Sequence, residues 1–272
     1  KLNLNVSEKQ KLYNYLLNNN KPENKNYLYD FFFDNCATKI KDVANTVVNN
    51  TIIFNTPEDY KSQTFRTLIH NNLNKNSWGS LGIDIALGSV IDKTATPEEQ
   101  LFLPENIHKF FEVAVLKNGK ALVSDNQILN SKKAETIKSN ILFSPLVIFS
   151  VIALCILYFT YSDYKKKKRS KWLDISLFII TGCIGVFLLL LWFATDHNAT
   201  AHNYNLLWAF ALNIFMIGQL KRNQPKTWFI KYLKFLLIML CLLVLHWTVG
   251  VQVFAITLIP LFIALTVRYV YL

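Results

Sequence analysis

The sequence predicts an α+β extracytoplasmic domain followed by an all-α polytopic membrane domain of about five helices. Three observations carry this reading. The 272 residues are 52% hydrophobic and only 17% charged, with a formal net charge of +11. That is too apolar for an ordinary soluble domain and too basic for an evenly charged one. The two properties also separate along the chain: residues 1–140 hold 17 Lys/Arg against 15 Asp/Glu, while residues 141–272 hold 12 against 3. Finally, the basic excess lies between hydrophobic segments, not on a soluble face, which excludes a nucleic-acid reading of the high charge.

Within residues 1–140, "EKQKLYNYLLNNN" places Leu12, Tyr15, Leu16 and Asn19 at helical spacing and ends in an Asn run that suits a helix stop. "NKNYLYDFFF" reads as a strand of aromatic and aliphatic residues. From Cys36 onward Ile40, Val43, Ala44 and Val47 repeat at i, i+3, i+4 and i+7, a helix with one buried face, and Asn35 is a good N-cap that puts Cys36 in the first turn. "SQTFRTLIHNNL" gives a further amphipathic helix on Phe65, Leu68, Ile69 and Leu73. "TPEEQLFLPENIHKFFEVA" opens with a capping box from Thr96 to Glu99 and with Pro97 at the first helical position. "VAVLKNGKALV" predicts a hairpin around Asn118-Gly119.

The second part carries five apolar stretches, at about 141–161, 173–195, 204–220, 232–249 and 251–268. Each is near the roughly 20 residues that cross a hydrocarbon core, with the third short and the fifth interrupted by Pro260. The loops "YSDYKKKKRSKW" and "KRNQPKTWFIKYLK" and the terminal Arg268 hold all twelve basic residues of this part, and the alternate connections "ATDHNATAHNY" and "TVGVQ" hold none. By the positive-inside rule the basic side is cytoplasmic, so residues 1–140 lie outside the cytoplasm. No N-terminal signal is visible and the chain begins at Lys1, so an N-terminal part of the full-length protein is expected to precede it.

Chemistry concentrates on Cys36, a lone thiol in an oxidising compartment, whereas Cys155, Cys183 and Cys241 fall within the spans as small apolar residues. A helix N-terminus favours the thiolate, Lys39 and Lys41 add positive charge, and the first-turn N–H groups offer an oxyanion site. Packing is the competing reading. A thiol nucleophile needs a base, normally histidine. His70 and His108 read as surface residues, and His246 beside Trp247 as part of an interfacial belt. "TDHNATAHNYNLLW" gathers Asp196, His197, His202, Asn203 and Asn205 on a short outer connection facing the compartment of Cys36. No zinc spacing, phosphate loop or cofactor motif is present in the sequence, and no metal or cofactor is expected.

"YDFFFDNCATKIKD", "FRTLIHNNLNKNSWGSLGIDIALGSVIDKTATPEEQLFLPENI" and "TDHNATAHNYNLLWAF" together resemble the Lnb-type bacterial lipoprotein N-acyltransferases, in order and over nearly the whole chain. The resemblance implies a circularly permuted papain-like soluble domain whose histidine motif precedes residue 1, and hence a missing segment that carries the catalytic His. It implies Cys36 as nucleophile with Asn35 beside it, and His197, Asp196 and Asn205 in a membrane-facing site. His197 is assigned with Cys36 and Asn35 to the catalytic set, and Asp196, His202, Asn205, Trp208, Trp78 and Asp84 to substrate binding. The activity implied is transfer of an acyl chain from a phospholipid, through a Cys thioester, to the N-terminal amine of a lipoprotein, in a multi-pass protein of the bacterial inner membrane with residues 1–140 periplasmic. The alternatives are a membrane-tethered papain-like peptidase or amidase and a non-enzymatic scaffold or assembly protein. Solute transport is disfavoured, since Asp174 and Arg268 lie near span ends and no other charge is mid-span.

Overall fold

The computed structural model describes residues 1–129 and 141–272, and the boundary expected at residue 140 lies outside them. In chain order the elements are α1 (Val6–Asn19), α2 (Cys36–Val47), β1 (Ile52–Ile53), α3 (Phe65–Asn71), α4 (Trp78–Ala86), α5 (Pro104–Val113), β2 (Val115–Leu116), α6 (Pro145–Lys166), α7 (Lys171–Phe193), α8 (Ile217–Leu220), α9 (Thr227–Thr248) and α10 (Ile259–Tyr271), joined by several 3-10 turns. They form two compact units. Among the described residues one unit holds 1–63 and 94–129, and the other holds 64–93 and 141–272. Residues 64–93, which composition groups with the first part, therefore pack with the second.

In the first unit the core joins Ala37, Ala44 and Val47 of α2 to Leu101, Ile107, Phe110 and Phe111. β1 and β2 pair antiparallel with Ile52 opposite Leu116. The expected hairpin forms after β2, where Leu116 N–H donates to Lys120 O at 2.8 Å and Gly119 takes φ +80°. The Thr96–Glu99 capping box also forms, but it opens a 3-10 turn, and the α-helix starts only at Pro104. The strand expected over "NKNYLYDFFF" is absent. Asp30 Oδ1 accepts from Phe32 N–H and Phe33 N–H, both at 2.9 Å, and the Asp30 and Asp34 backbones bond each other, so the chain reverses there. An aspartate at the head of the aromatic run offers the backbone a turn that outcompetes pairing.

In the second unit three helices, α6, α7 and α9, are long and apolar enough to cross a membrane among the described residues. The other two expected spans differ. Over 204–220 the chain makes two 3-10 turns, Tyr204–Leu207 and Ala211–Met216, before the four-residue α8. Asn203 and Asn213 explain the break. Asn203 Oδ1 takes Asn205 N–H at 3.0 Å, and buried Asn213 donates to Thr181 Oγ1 at 2.8 Å and accepts from Tyr232 OH at 2.6 Å. Irregular backbone is tolerated at such depth where protein surrounds it. α7 supplies that cover by bringing Gly185 so close that a Cβ would overlap the Ala209 carbonyl oxygen.

The fifth stretch begins with Gly250 at φ +76° and becomes α-helical only at Ile259. Pro260 sits in the first turn of α10, where its missing N–H costs nothing, so it starts the helix and does not interrupt it. α10 packs on α6 through an apolar seam that includes Ala153, Ile156, Ala264 and Leu265. Its far end carries Arg268, fully buried, with Nε 2.7 Å from Asp174 and Nη1 2.9 Å from Asp163.

Candidate functional site

In the first unit Asn35 sets where α2 begins. Its Oδ1 accepts from Ala37 N–H and Thr38 N–H at 2.8 and 2.9 Å, its Nδ2 donates to Phe31 O and Phe102 O at 2.8 and 2.9 Å, and Thr38 Oγ1 accepts from Asn35 N–H. The side chain is 4% exposed, so every polar group it has is spoken for by the fold. Asn35 thereby ties the helix start to the aromatic turn, where Phe32 meets Phe102 edge to face at 5.1 Å. The next residue, Cys36, is exposed.

Two expectations for that thiol change. The first-turn N–H groups of Ala37 and Thr38 are consumed by Asn35, which leaves Cys36's own N–H as the first-turn donor these bonds do not use. The two lysines are also partly neutralised: Lys39 pairs with Asp34 at 2.7 Å and Lys41 with Glu98 at 3.2 Å. The Asp34 hydrogen bond holds Lys39 above its ordinary pKa. Tyr29 is raised as well, first by partial burial and then by negative charge at Cys36. One turn further along the same face, Ile40, Val43 and Val47 line an apolar groove of about 340 Å³ that Leu12 and Leu16 of α1 close on the other side.

In the second unit α3 and α4 hold a buried ionic cluster. Arg66 donates from Nη1 to Asp84 Oδ1 at 2.9 Å, from Nε to Asp92 Oδ1 at 2.8 Å and from Nη2 to the Leu87 and Gly88 carbonyls. Burial raises the Asp92 carboxyl above the usual range, while Arg66 and the Val253 N–H oppose the shift. His70 Nε2 lies 2.9 Å from Asp84 Oδ1 with its side chain 9% exposed, so it is not the surface residue its position on the helix flank suggests. His108 does lie on the surface, against Asn126.

The predicted site residues of this unit divide into two groups. Asp84, Asn205 and Trp208 come together: Asn205 Nδ2 donates to Asp84 O at 2.8 Å, and Trp208 Nε1 donates to Asn205 Oδ1 at 2.9 Å. Asn203 adds bonds to the Ile85 and Ala86 carbonyls. Gly88 fits because Ala201 lies against it, where a Cβ would collide with the Ala201 carbonyl. Asp196, His197 and His202 do not join this cluster; all three are exposed on the connection after α7, with His202 at φ +52° beside the Trp192 ring. Trp78 is on the α4 surface, donating to Phe143 O at 2.9 Å. The sequence reading missed Arg66 and Asp92, whose one available signal was an ionisable residue inside each of two otherwise apolar patterns.

A family model described as the Lnb transmembrane domain matches residues 136–272, and a second, described as the Lnb N-terminal periplasmic domain, matches residues 1–71. The chain belongs to the Lnb family. No curated protein and no solved structure matches it. Membership makes this a membrane protein of the Lnb type with a periplasmic N-terminal segment, and it is consistent with an enzyme. In this Lnb protein the two matched stretches end in α3 and begin before α6, so α4 and Asp84 fall between them.

Proposed function

We propose that this Lnb protein is a thiol-dependent acyltransferase of the bacterial inner membrane that N-acylates lipoproteins. The exposed Cys36 thiol, fixed in the first turn of α2 by a fully engaged Asn35, is the observation that carries the proposal. Cys36 loses its proton and the thiolate attacks the ester carbonyl of a phospholipid; a C–S bond forms, the C–O bond breaks, and the lysolipid leaves as its alcohol by taking up the proton the thiol gave up. The α-amine of the acceptor's lipidated N-terminal cysteine then attacks the thioester, forming an amide and returning the thiol. The groove beside Ile40 supports this by offering an acyl chain an apolar surface one turn from the sulfur. Membrane helices suit the reading because donor and acceptor are both held in a bilayer. Asp196, His197 and His202, exposed on the outer loop, and Asp84, Asn205 and Trp208 are proposed as further residues that act on these substrates.

Intact-protein mass spectrometry of the full-length protein from its own membranes, beside Cys36→Ala, tests the proposal. An acyl-sized increment that hydroxylamine removes and the variant lacks is expected. The acceptor's mass identifies the donor: a phospholipid adds one chain, whereas an acyl group moved within the acceptor leaves its mass unchanged. Cleavage of an acceptor peptide bond would instead favour a peptidase. A Cys36→Ala protein that still yields N-acylated lipoproteins would leave the cysteine a packing residue and overturn the mechanism.

A further inference from the structure

Within the second unit, α6 and α10 leave an apolar groove between them. Leu157, Tyr161 and Tyr164 of α6 form one wall and Val267, Val270 and Tyr271 of α10 the other, around about 660 Å³. These residues are spaced i, i+4, i+7 on α6 and i, i+3, i+4 on α10, so each wall is one face of its helix. The volume falls in the range of about 300–1,000 Å³ usual for ligand pockets. The groove opens sideways, with Tyr164 71% and Val270 70% exposed, and on a helix that crosses a membrane such a face meets lipid.

The groove's mouth decides which lipid. Residues 1–71 match a periplasmic domain, and among the described residues α6 is the first helix after them long enough to cross a membrane, so its C-terminal end is cytoplasmic. There Lys165, Lys166, Lys167 and Lys168 directly follow Tyr164. Lys167 turns the chain at φ +49°, and the Tyr271 hydroxyl donates to the Lys168 carbonyl at 2.6 Å, which ties the lysine run to the groove. Neighbouring cations are committed to the fold: Arg169 to the Leu220 and Arg222 carbonyls, Lys171 to Lys221 O and Asn223, and Arg268 to Asp163 and Asp174. The four lysine side chains, all exposed, pair with no acceptor among the described residues, and the Tyr161 and Tyr164 hydroxyls are equally uncommitted.

We propose that this groove binds an anionic phospholipid of the cytoplasmic leaflet, with one acyl chain between α6 and α10 and the phosphodiester held by the lysines that follow Tyr164. An apolar slot alone takes any lipid. A lysine run alone attracts an anionic surface without fixing one molecule. Together they select a lipid by charge and hold it by shape. The site lies within the second unit and does not rest on the acyltransferase reading.

The test is native mass spectrometry of the full-length protein in detergent, titrated with phosphatidylglycerol or with phosphatidylcholine of the same acyl chains. One phosphatidylglycerol should bind at least about tenfold more tightly than phosphatidylcholine, since each lysine near an anionic lipid is worth about fivefold in affinity. Lys165→Gln/Lys166→Gln and Lys167→Gln/Lys168→Gln are made as separate pairs, so that the remaining cations keep the orientation of α6. Each pair should lower the preference by about fivefold per lysine removed. Val270→Trp keeps every charge and fills the slot, and should weaken phosphatidylglycerol binding at least several-fold; Val267→Trp is the second variant for the same wall. Equal wild-type affinities for the two lipids overturn the proposal. Wild-type phosphatidylglycerol affinity in both Trp variants also overturns it, leaving a basic surface without a groove. An unchanged preference in both lysine pairs places the anion elsewhere and overturns it as well.

Discussion

Asn35 shows how much one side chain can decide. Its oxygen caps α2 and its amide holds the Phe31 and Phe102 carbonyls, so Asn35→Ala removes a cap and also strands two buried acceptors. A cap alone is worth about 1 kcal/mol, and each stranded group adds about 1–3 kcal/mol. Asn35→Ala should therefore lower the melting temperature of the purified protein by several degrees, and Asn35→Asp should lower it as well, since it keeps the cap but turns a buried acceptor oxygen on the Phe31 and Phe102 carbonyls. The cap was readable in the sequence because its chemistry is local, an Asn placed directly before a 3.6-residue pattern. Asp34 and Glu98 were not readable as the partners that blunt Lys39 and Lys41, because the Glu98 contact joins residues 57 positions apart. His70 was misjudged for the same reason: the carboxylate that buries it lies on another helix.

At the scale of elements, hydropathy found where apolar chain is and missed what the backbone does there. α6, α7 and α9 match three expected spans to within a few residues at most ends. The third expected span fails as a continuous helix because Asn203 and Asn213 bond the backbone and neighbouring side chains, a signal that averaging over a window erases. Replacing Asn213 by Leu removes the bridge between Thr181 and Tyr232 and takes away the acceptor of the half-buried Tyr232 hydroxyl, while Thr181 keeps its bond to the Leu177 carbonyl. A loss of about 1–3 kcal/mol is expected, seen as a lower midpoint in a detergent thermal-shift assay. α2 supports a functional prediction. Ile40 is half exposed in the groove wall, so Ile40→Glu should leave folding intact and reduce thioester formation on Cys36 at least several-fold, measured by the same mass increment. An unchanged adduct yield would remove the groove from the proposed function.

For the whole molecule the asymmetry of basic residues remains the strongest statement the sequence makes. It predicts that a membrane-impermeant maleimide applied to intact spheroplasts labels Cys36 and spares Cys155, Cys183 and Cys241, which α6, α7 and α9 carry inside the apolar stretches. Labelling of a Cys36→Ser variant from outside would contradict that orientation. The division into units was less legible. Residues 64–93 look like part of the soluble region, yet Asn203 and Asn205 bond the carbonyls of Asp84, Ile85 and Ala86 from about 120 positions away. Nothing in a linear pattern announces a contact of that span. Gly88→Val is the sharpest check, since the added atoms would collide with the Ala201 backbone, and a destabilisation of about 1–3 kcal/mol or more is expected in the detergent thermal-shift assay.

Arg268 also sets an order of events during synthesis. Asp163 and Asp174 are made 105 and 94 residues before the guanidinium that neutralises them. At about 5–20 residues per second, each carboxylate waits roughly 5–20 s for its partner. Until α10 is threaded in, Asp163 lacks its guanidinium and Asp174 has only Arg169, 3.5 Å away, so the bundle must either hold them near the aqueous edge or expose them to quality-control proteases. Closure of the membrane unit is therefore a late step, governed by the arrival of one side chain.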